Sequence, residues 1–348
     1  MMPAMPDQPL YPLQFAPIFQ YRLWGGRALG AFMGCTLPGQ GPIGEAWILS
    51  DRADCASRIT NGALAGQTLG DIMQQRKADI LGRHAGRFDR FPLLLKFLDV
   101  AKMLSVQVHP RDDQTALIPA GDTGKTEAWV VLRTQPGARI FAGLMPGTTA
   151  HDLAGLTAAN AGRALHSFAP QPGQAVLIAA GTVHALGGGV VVFEVQENSD
   201  TTFRLFDWDH IDPTTGRRRD LQVDQALASV NFAQGPIGPV AHDRPVALRQ
   251  VLLTDPHFQL VRWQGDTGFA VGAPGEPRVL VCAEGCGHVI SQGVPTPMQR
   301  GDVVLLPASL GRAGFNPDGP ATILELAIPD DPNPPQPVPR GSTATAPP

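Results

Sequence analysis

From the first residues onward, apolar positions come in short runs separated by Gly and Pro, as in Trp24-Gly25-Gly26 and Pro42-Ile43-Gly44. Runs this short, bounded by turn formers, predict strands rather than long helices. Over residues 64–88 the pattern changes: Leu69, Ile72, Met73, Ile80 and Leu81 recur at helical spacing among Gln, Arg and Lys, which predicts a helix. Strands return at 92–99, a nearly continuous apolar run, and at 103–109, where apolar and polar residues alternate. Asp112-Asp113 after Pro110 predicts the start of a short helix, because carboxylates favour the positive N-terminal end. Residues 126–133 and 139–142 read as strands, 148–167 as one or two short helices, and 174–206 as three strands in quick succession. A helix is then expected over 221–229 and strands over 246–326.

Composition supports a β-rich reading. The chain has 348 residues, enough for two domains or one large all-β unit, with a core that needs no disulfide. Its 39 Gly and 34 Pro favour many short strands, and no internal repeat is evident. With 27 Lys and Arg against 31 Asp and Glu, there is no basic footprint for nucleic acid or an anionic membrane. Four cysteines, at 35, 55, 282 and 286, are too few for a disulfide scaffold and suit a reducing compartment. The first ten residues lack the basic and apolar regions of a secretory signal. Residues 174–196 are apolar, with Glu194 the lone acid, but Gly181, Gly187, Gly188, Gly189 and His184 break a helix there, so buried strands are expected rather than a membrane span. A soluble, cytoplasmic protein is the expectation. Residues 329–348 contain eight prolines and almost no apolar content, which predicts a flexible tail.

Candidate chemistry concentrates in three places. In Ser105-Val-Gln-Val-His-Pro110, side chains two apart share a face, so Gln107 and His109 point together with Ser105 one step back, while Val106 and Val108 face the opposite layer. Lys125 and Glu127 share a face of the next strand, and His184 opens an apolar strand after Gly181. Two imidazoles, a carboxylate and an amide oxygen suit a divalent metal such as zinc, with a position left for water or substrate. Each alone has a plainer reading: a half-buried, hydrogen-bonded strand histidine, or an edge-strand carboxylate. In 194–207 polar groups crowd between apolar runs, and Asn198-Ser199-Asp200 predicts the turn of a solvated hairpin. Such a turn does not require Arg204 and Asp207 beyond it, and that excess points to a site. Cys282-x-x-x-Cys286-x-His288 lacks a matched second pair and reads as a turn with two ordinary thiols. Arg217-Arg218-Arg219 reads as a solvated loop, and His84, His151, His166, His210, His242 and His257 fall in no usable pattern.

Taken in order, these segments resemble the type I phosphomannose isomerases, zinc-dependent mannose-6-phosphate isomerases of the cupin superfamily, in their shorter bacterial form. The resemblance is carried by Trp24-Gly25-Gly26, Gly44-Glu45-Ala46-Trp47, Leu95-Lys-Phe-Leu-Asp99, Ser105-Val-Gln-Val-His-Pro110, Gly124-Lys-Thr-Glu127, Gly181-Thr-Val-His184 and Asn198-Ser-Asp-Thr-Thr-Phe-Arg204, which together span about residues 20–210. It implies a mainly β cupin fold (double-stranded β-helix, or jelly roll) with a second, metal-free cupin-like β domain and a few helices. Residues 1–240 would form the metal-binding cupin domain with helical insertions, 241–328 the C-terminal cupin-like domain, and 329–348 the tail. The run Gly301-Asp-Val-Val-Leu-Leu-Pro307 resembles a cupin hairpin whose usual histidine position is not filled.

The resemblance further implies that Gln107, His109, Glu127 and His184 hold one Zn2+ per chain, a set that accepts other divalent metals too. It implies that Lys125 and Arg204, with Asp200, take part in proton movement and ring opening, and that Lys96 and Ser105 receive the phosphate of a phosphorylated hexose. The protein is expected as a monomer or dimer. One departure stands out: larger members carry a histidine just before the lysine, where this chain has Gly124, which puts any ring-opening role of that histidine in doubt here. The implied reaction interconverts mannose 6-phosphate and fructose 6-phosphate through an enediol, and such a weak carbon acid needs a base in reach and fixed positive charge. Lys125 is one candidate base, if burial near the metal lowers its pKa, and a carboxylate or metal-bound hydroxide is another. Two other functions fit the same residues: an iron oxygenase using His109, Glu127 and His184 as its triad, or a sugar-phosphate-binding cupin without turnover. Gln107 as a fourth ligand and the Lys125/Arg204 pair favour the phosphosugar.

Overall fold

The structure, a computed structural model, describes residues 9–241 and 248–330. His242 and the expected tail from residue 331 onward lie outside them. At the centre is a six-stranded antiparallel sheet in the order Ala175–Ile178, Glu127–Thr134, Val190–Glu197, Leu93–Val100, with Ile18–Gly26 and Ile43–Leu49 at its far edge. Alternation along these strands decides what each face meets. Leu93, Leu95, Phe97, Ala128, Val130, Val191, Phe193 and Val195 turn outward into one apolar cluster, shared with the helices Ala28–Met33 and Leu69–Leu81 and with the C-terminal strands.

The inward face is built in cross-strand rows that change character along the sheet. Leu98, Val192 and Val131 lie opposite one another, then Lys96, Glu194 and Trp129, then Gln196 and Glu127. Facing them is a five-stranded sheet, Leu165–Phe168, Ile140–Leu144, His184–Leu186, Val106–Val108 and Phe203–Phe206. Ile140, Ala142 and Leu186 of this sheet pack with Leu98, Trp129 and Val131 of the first. The space between the two sheets is therefore apolar at one end and charged at the other. Val106, Val108, Ala185 and Phe203 point away, under the short helices Ala150–Ala154, Ala161–Ala164 and Val223–Ser229.

The C-terminal part repeats the sandwich plan. Arg249–Thr254, Gln259–Gly265, Ala321–Ala327, Arg278–Glu284 and Val303–Leu306 form one sheet, with Leu13–Gln14 added at its edge. Phe269–Gly272, Arg312–Pro317, Cys286–Ser291 and Val294–Gln299 form the other, and Leu280, Val289, Phe315 and Ile323 fill the gap between them. Cys282 is buried and Cys286 exposed, as two free thiols.

Several expectations change at the level of tertiary contacts. The helix Leu69–Leu81 forms as its spacing predicts, closed by a capping box between Thr68 and Asp71. No helix starts at Asp112: its Oδ1 accepts the N–H of Gly124 at 2.8 Å, and the segment is a string of turns. Residues 174–206 hold four strands rather than three, with left-handed glycines at Gly181 (φ 88) and Gly189 (φ 87) in two of the connections. The polar run 198–202 is not a hairpin turn, because Val190–Glu197 and Phe203–Phe206 belong to opposite sheets and the run crosses between them. Among the described residues no helix is long and apolar enough to cross a membrane.

Two of the glycine motifs have one steric cause. A Cβ on Gly25 would sit 2.3 Å from Gly44 N, and one on Gly44 would sit 2.6 Å from Arg22 Cβ, so the two edge strands meet where neither tolerates a side chain. Gly25→Ala is therefore expected to destabilise the fold by about 1–3 kcal/mol, the cost of overpacking, read as a lower urea midpoint at unchanged slope.

Candidate active site

The charged end of the sandwich gathers the residues the sequence singles out for a metal. Glu127, at the start of its strand, points one carboxylate oxygen at His109 Nε2 (3.3 Å) and the other at His184 Nε2 (3.4 Å). His184 pairs directly across from Gln107, whose Nε2 is 3.2 Å from His184 Nε2. Three of these four side chains, Glu127, His109 and His184, are at most 1 % exposed. Each imidazole presents Nδ1 to a backbone carbonyl, His109 to Thr201 O and His184 to Thr182 O, both at 2.9 Å. A carbonyl can only accept, so both Nδ1 atoms carry the proton and both Nε2 lone pairs face the carboxylate.

Lone pairs aimed at an anion are unfavourable without a cation between them, and this arrangement fits a divalent metal. Glu127 Oε2 is buried and receives no well-directed hydrogen bond. Burial, reinforced by Lys125, lowers the His109 pKa to about 3, and burial lowers that of His184, so both rings are neutral, as metal ligation requires. Although burial opposes it, the Lys125 ammonium holds the Glu127 carboxyl well below its ordinary range. The Gln107 amide turns Oε1 to the Ser105 hydroxyl at 3.1 Å. Ligation through oxygen requires that amide to turn over, after which the Ser105 oxygen accepts from its N–H.

Lys125 lies against this quartet, with Nζ 2.7 Å from Glu127 Oε2 and 3.1 Å from His109 Nε2. Burial alone would pull its pKa down, yet Glu127 and Glu194 outweigh it and the ammonium is held above its ordinary value. Gly124 cannot be replaced by a larger residue without moving the chain, since a Cβ there would sit 2.6 Å from Asp112 N.

A cavity of about 390 Å3 opens beside Gln107 and Lys125 and is walled by Lys96, Glu194, Asp200 and Arg204. Lys96 is tightly balanced: its Nζ is 3.5 Å from Glu194 Oε1 and 4.8 Å above the Trp47 ring. Arg22 pairs with Glu45 through two contacts of 3.0 Å, and Trp47 Nε1 donates to Glu45 at 2.7 Å. Burial would raise the Glu45 pKa, but Lys96 and Arg22 bring it down to about 2. Glu194 goes the other way, pushed up by burial and by Glu127. Arg204 also lines the cavity, and its Nε is buried without a partner.

Of the residues that sequence reasoning brings together, Gln107, Lys125, Lys96, Asp200 and Arg204 line this cavity, while His109, Glu127 and His184 form a buried cluster in contact with Gln107 and Lys125. The structure places Ser105 behind Gln107, 1 % exposed, rather than on the cavity wall. Arg219 lines the cavity and pairs with Asp207 at 2.8 Å, where the sequence predicts a solvated loop. Sequence reasoning misses Glu45, Arg22 and Glu194 as members of the site. Glu45 lies within the Gly44-Glu45-Ala46-Trp47 motif, and a lone acid inside the apolar run 190–195 is the signal for Glu194. The polar run after Glu197 supports the ligands: Thr201 O orients His109, while Asp122, paired with Arg52 at 3.0 Å, accepts from Thr201 Oγ1 at 3.0 Å.

Comparison with known proteins agrees with this geometry. The family described as phosphomannose isomerase type I, catalytic domain, matches residues 12–127. The chain is 34% identical over 303 residues to mannose-6-phosphate isomerase ManA of Bacillus subtilis (strain 168), covering 86% of this chain and 94% of that one. It is 31% identical over 307 residues to the probable mannose-6-phosphate isomerase GmuF of the same organism, covering 86% and 95%. The crystal structure of the mannose 6-phosphate isomerase from Bacillus subtilis superposes with a TM-score of 0.82 at 26% identity, covering 91% of this chain and 99% of that one.

Two outcomes follow from the electrostatics. Glu127→Gln is expected to strip most of the bound divalent metal from the purified protein, measured by elemental analysis against His151→Gln, a histidine remote from the quartet. Because the folded pKa of Glu45 lies below its ordinary value of 4.5, its contribution to stability is present above that pH and is lost as pH falls toward about 2. Glu45→Gln should flatten that part of the urea-midpoint profile.

Proposed function

This chain belongs to the type I phosphomannose isomerases, and from that premise we propose that it interconverts mannose 6-phosphate and fructose 6-phosphate at the cavity beside Lys125. The enzyme is a metal-dependent aldose–ketose isomerase with a mainly β cupin fold. The observation that carries the assignment of the site is the convergence of two bare imidazole nitrogens, a buried carboxylate and the amide of Gln107, which with Lys125 also lines that cavity. Gln107, His109, Glu127 and His184 would hold the metal, and borderline-soft nitrogen and oxygen donors favour Zn2+, one per chain. When bound, the cation supplies a Lewis acid for the oxygens on C1 and C2.

The remaining work falls to the chain's own groups. Glu194 is the base we assign for the C–H proton: it lines the cavity, and its raised pKa brings a carboxylate closer to the neutral range where proton transfer is efficient. Lys125, held as an ammonium, donates to the developing enediolate oxygen and stabilises its charge. Asp200 lines the cavity with its carboxylate outside any ion pair among the described residues, which leaves it able to take a hydroxyl proton during ring opening. Lys96 answers Glu194 and Glu45, so it adds less positive charge for a phosphate dianion than the sequence suggests, and Ser105 steadies Gln107. Arg204 lines the cavity without a carboxylate in ion-pair range among the described residues, so we assign it, with Lys96 of the same cavity wall, to the phosphate. A division near residue 240 into a metal-binding and a metal-free cupin unit suits the two sandwich cores, and four free cysteines suit the cytoplasm.

A coupled assay on mannose 6-phosphate tests the reading: chelation should abolish turnover and zinc restore it, whereas robust turnover of the metal-stripped enzyme would sink it. Glu194→Gln should lower kcat by ~100-fold or more with metal retained. In the parent enzyme, kcat/KM should rise with pH through the elevated Glu194 pKa, because only the carboxylate can accept the proton.

A further inference from the structure

A second cluster of ionisable groups lies outside the cavity, where the two halves of the molecule meet. The hairpin tip between Arg249–Thr254 and Gln259–Gly265 carries Asp255 and His257 from the C-terminal part into contact with the N-terminal part. His257 Nδ1 is 2.7 Å from Asp255 Oδ1, and Nε2 is 3.3 Å from Asp112 Oδ2 and 3.5 Å from Glu197 Oε2. Both ring nitrogens thus face carboxylate oxygens. A neutral imidazole has a single N–H, so the ring satisfies both sides only as the imidazolium.

The two N-terminal carboxylates have their other oxygens on one short stretch of backbone. Asp112 Oδ1 accepts from Gly124 N at 2.8 Å, and Glu197 Oε1 accepts from Thr126 N at 2.7 Å. These amides flank Lys125 and precede Glu127, the residues whose side chains reach the metal quartet. Glu197 N in turn donates to Thr126 O at 3.1 Å, so the strand start is held from both directions. Gly124 is pressed against the Arg111–Asp112 backbone, which leaves this stretch no slack on that side.

We propose that His257 is a positioning residue of the isomerase: as a cation supplied by the C-terminal part, it holds Asp112 and Glu197 in the placement that fixes Gly124–Glu127 at the active site. This deepens the functional assignment above and rests on it. The electrostatics agree. Burial works against the imidazolium, but Asp112, Asp255 and Glu197 outweigh it and raise its pKa to about 10. Burial, with Asp112 as a secondary influence, pushes Glu197 up to about 7, a carboxylate that needs the neighbouring cation to remain charged. Loss of that cation leaves the Glu197 charge without a partner, and its turning away from Thr126 N toward water loosens the segment that aims Lys125.

Kinetics of the holoenzyme on mannose 6-phosphate test this with His257→Gln, Glu197→Gln and the double variant. His257→Gln is expected to lower kcat by ~10- to 100-fold with KM within about threefold and bound metal retained, since a misplacement of an ångström costs on that order, and to lower the melting temperature, since a cation held by three carboxylates is lost. Glu197→Gln in the His257→Gln background should recover much of the loss, because the amide still accepts from Thr126 N and carries no charge to compensate. Asp112→Asn gives an independent reading if His257→Gln does not fold, with the same fall in kcat expected. Unchanged kcat in His257→Gln, or in Asp112→Asn in that event, overturns the proposal. So does a loss that the double variant leaves uncorrected, and so does a second equivalent of divalent metal bound by the parent and lost in His257→Gln. Absence of turnover in the parent would instead overturn the functional assignment.

Discussion

One buried carboxylate organises this molecule's chemistry. Glu127 sits at the closed end of a β-sandwich with an imidazole Nε2 at 3.3 Å, another at 3.4 Å and an ammonium at 2.7 Å. Such a charge is tolerated in a protein interior only when paired and hydrogen-bonded. Here the pairing is incomplete: the imidazoles donate away from the site, to Thr201 O and Thr182 O, and offer only lone pairs inward. A polar cluster assembled this way is stable with a cation among its members and poorly balanced without one. Structure and function therefore make the same demand on the site, that positive charge be present at a fixed point.

The surrounding fold meets that demand by alternation. The three strands Leu93–Val100, Glu127–Thr134 and Val190–Glu197 carry apolar residues outward, while their inward rows shift from apolar to charged along the sheet. The charged rows are balanced locally: Lys96 by Glu194 and Glu45, Arg22 by Glu45, Lys125 by Glu127. Balance of this kind leaves few surplus charges, and Arg204, in the cavity wall with no carboxylate in ion-pair range among the described residues, is one of them. A dianionic substrate needs such a surplus. The groups that steady the ligands are as much part of the site as the ligands: Ser105 behind Gln107, the 198–202 crossing behind His109, and Trp129 hydrogen-bonded to Glu194 at 2.9 Å.

The second sandwich contributes more than packing area. Its apolar face meets the outer face of the catalytic sheet in one continuous cluster, and its hairpin tip brings a cation to the carboxylates behind Lys125. A domain without metal ligands of its own is in this way tied to the precision of the site. Interiors packed at crystal-like density transmit such constraints over short distances with little loss.

The sequence alone determined which residue types meet. Period-two alternation fixed that Gln107 points with Ser105, and Lys125 with Glu127, because a strand has only two faces. Helical spacing placed a helix within 64–88, since its contacts are local, and the structure bounds it at 69–81. The ordered motifs then told the family. Tertiary structure decided everything that depends on residues far apart in the chain: that 198–202 crosses between sheets instead of turning back, that Asp112 binds Gly124 instead of starting a helix, that Arg219 folds into the cavity, and that His257 has three carboxylate neighbours. It also set charge states. Burial argues for lowering the Lys125 pKa, and only the proximity of Glu127 and Glu194 reverses the sign, a balance of distances in space that no linear spacing encodes.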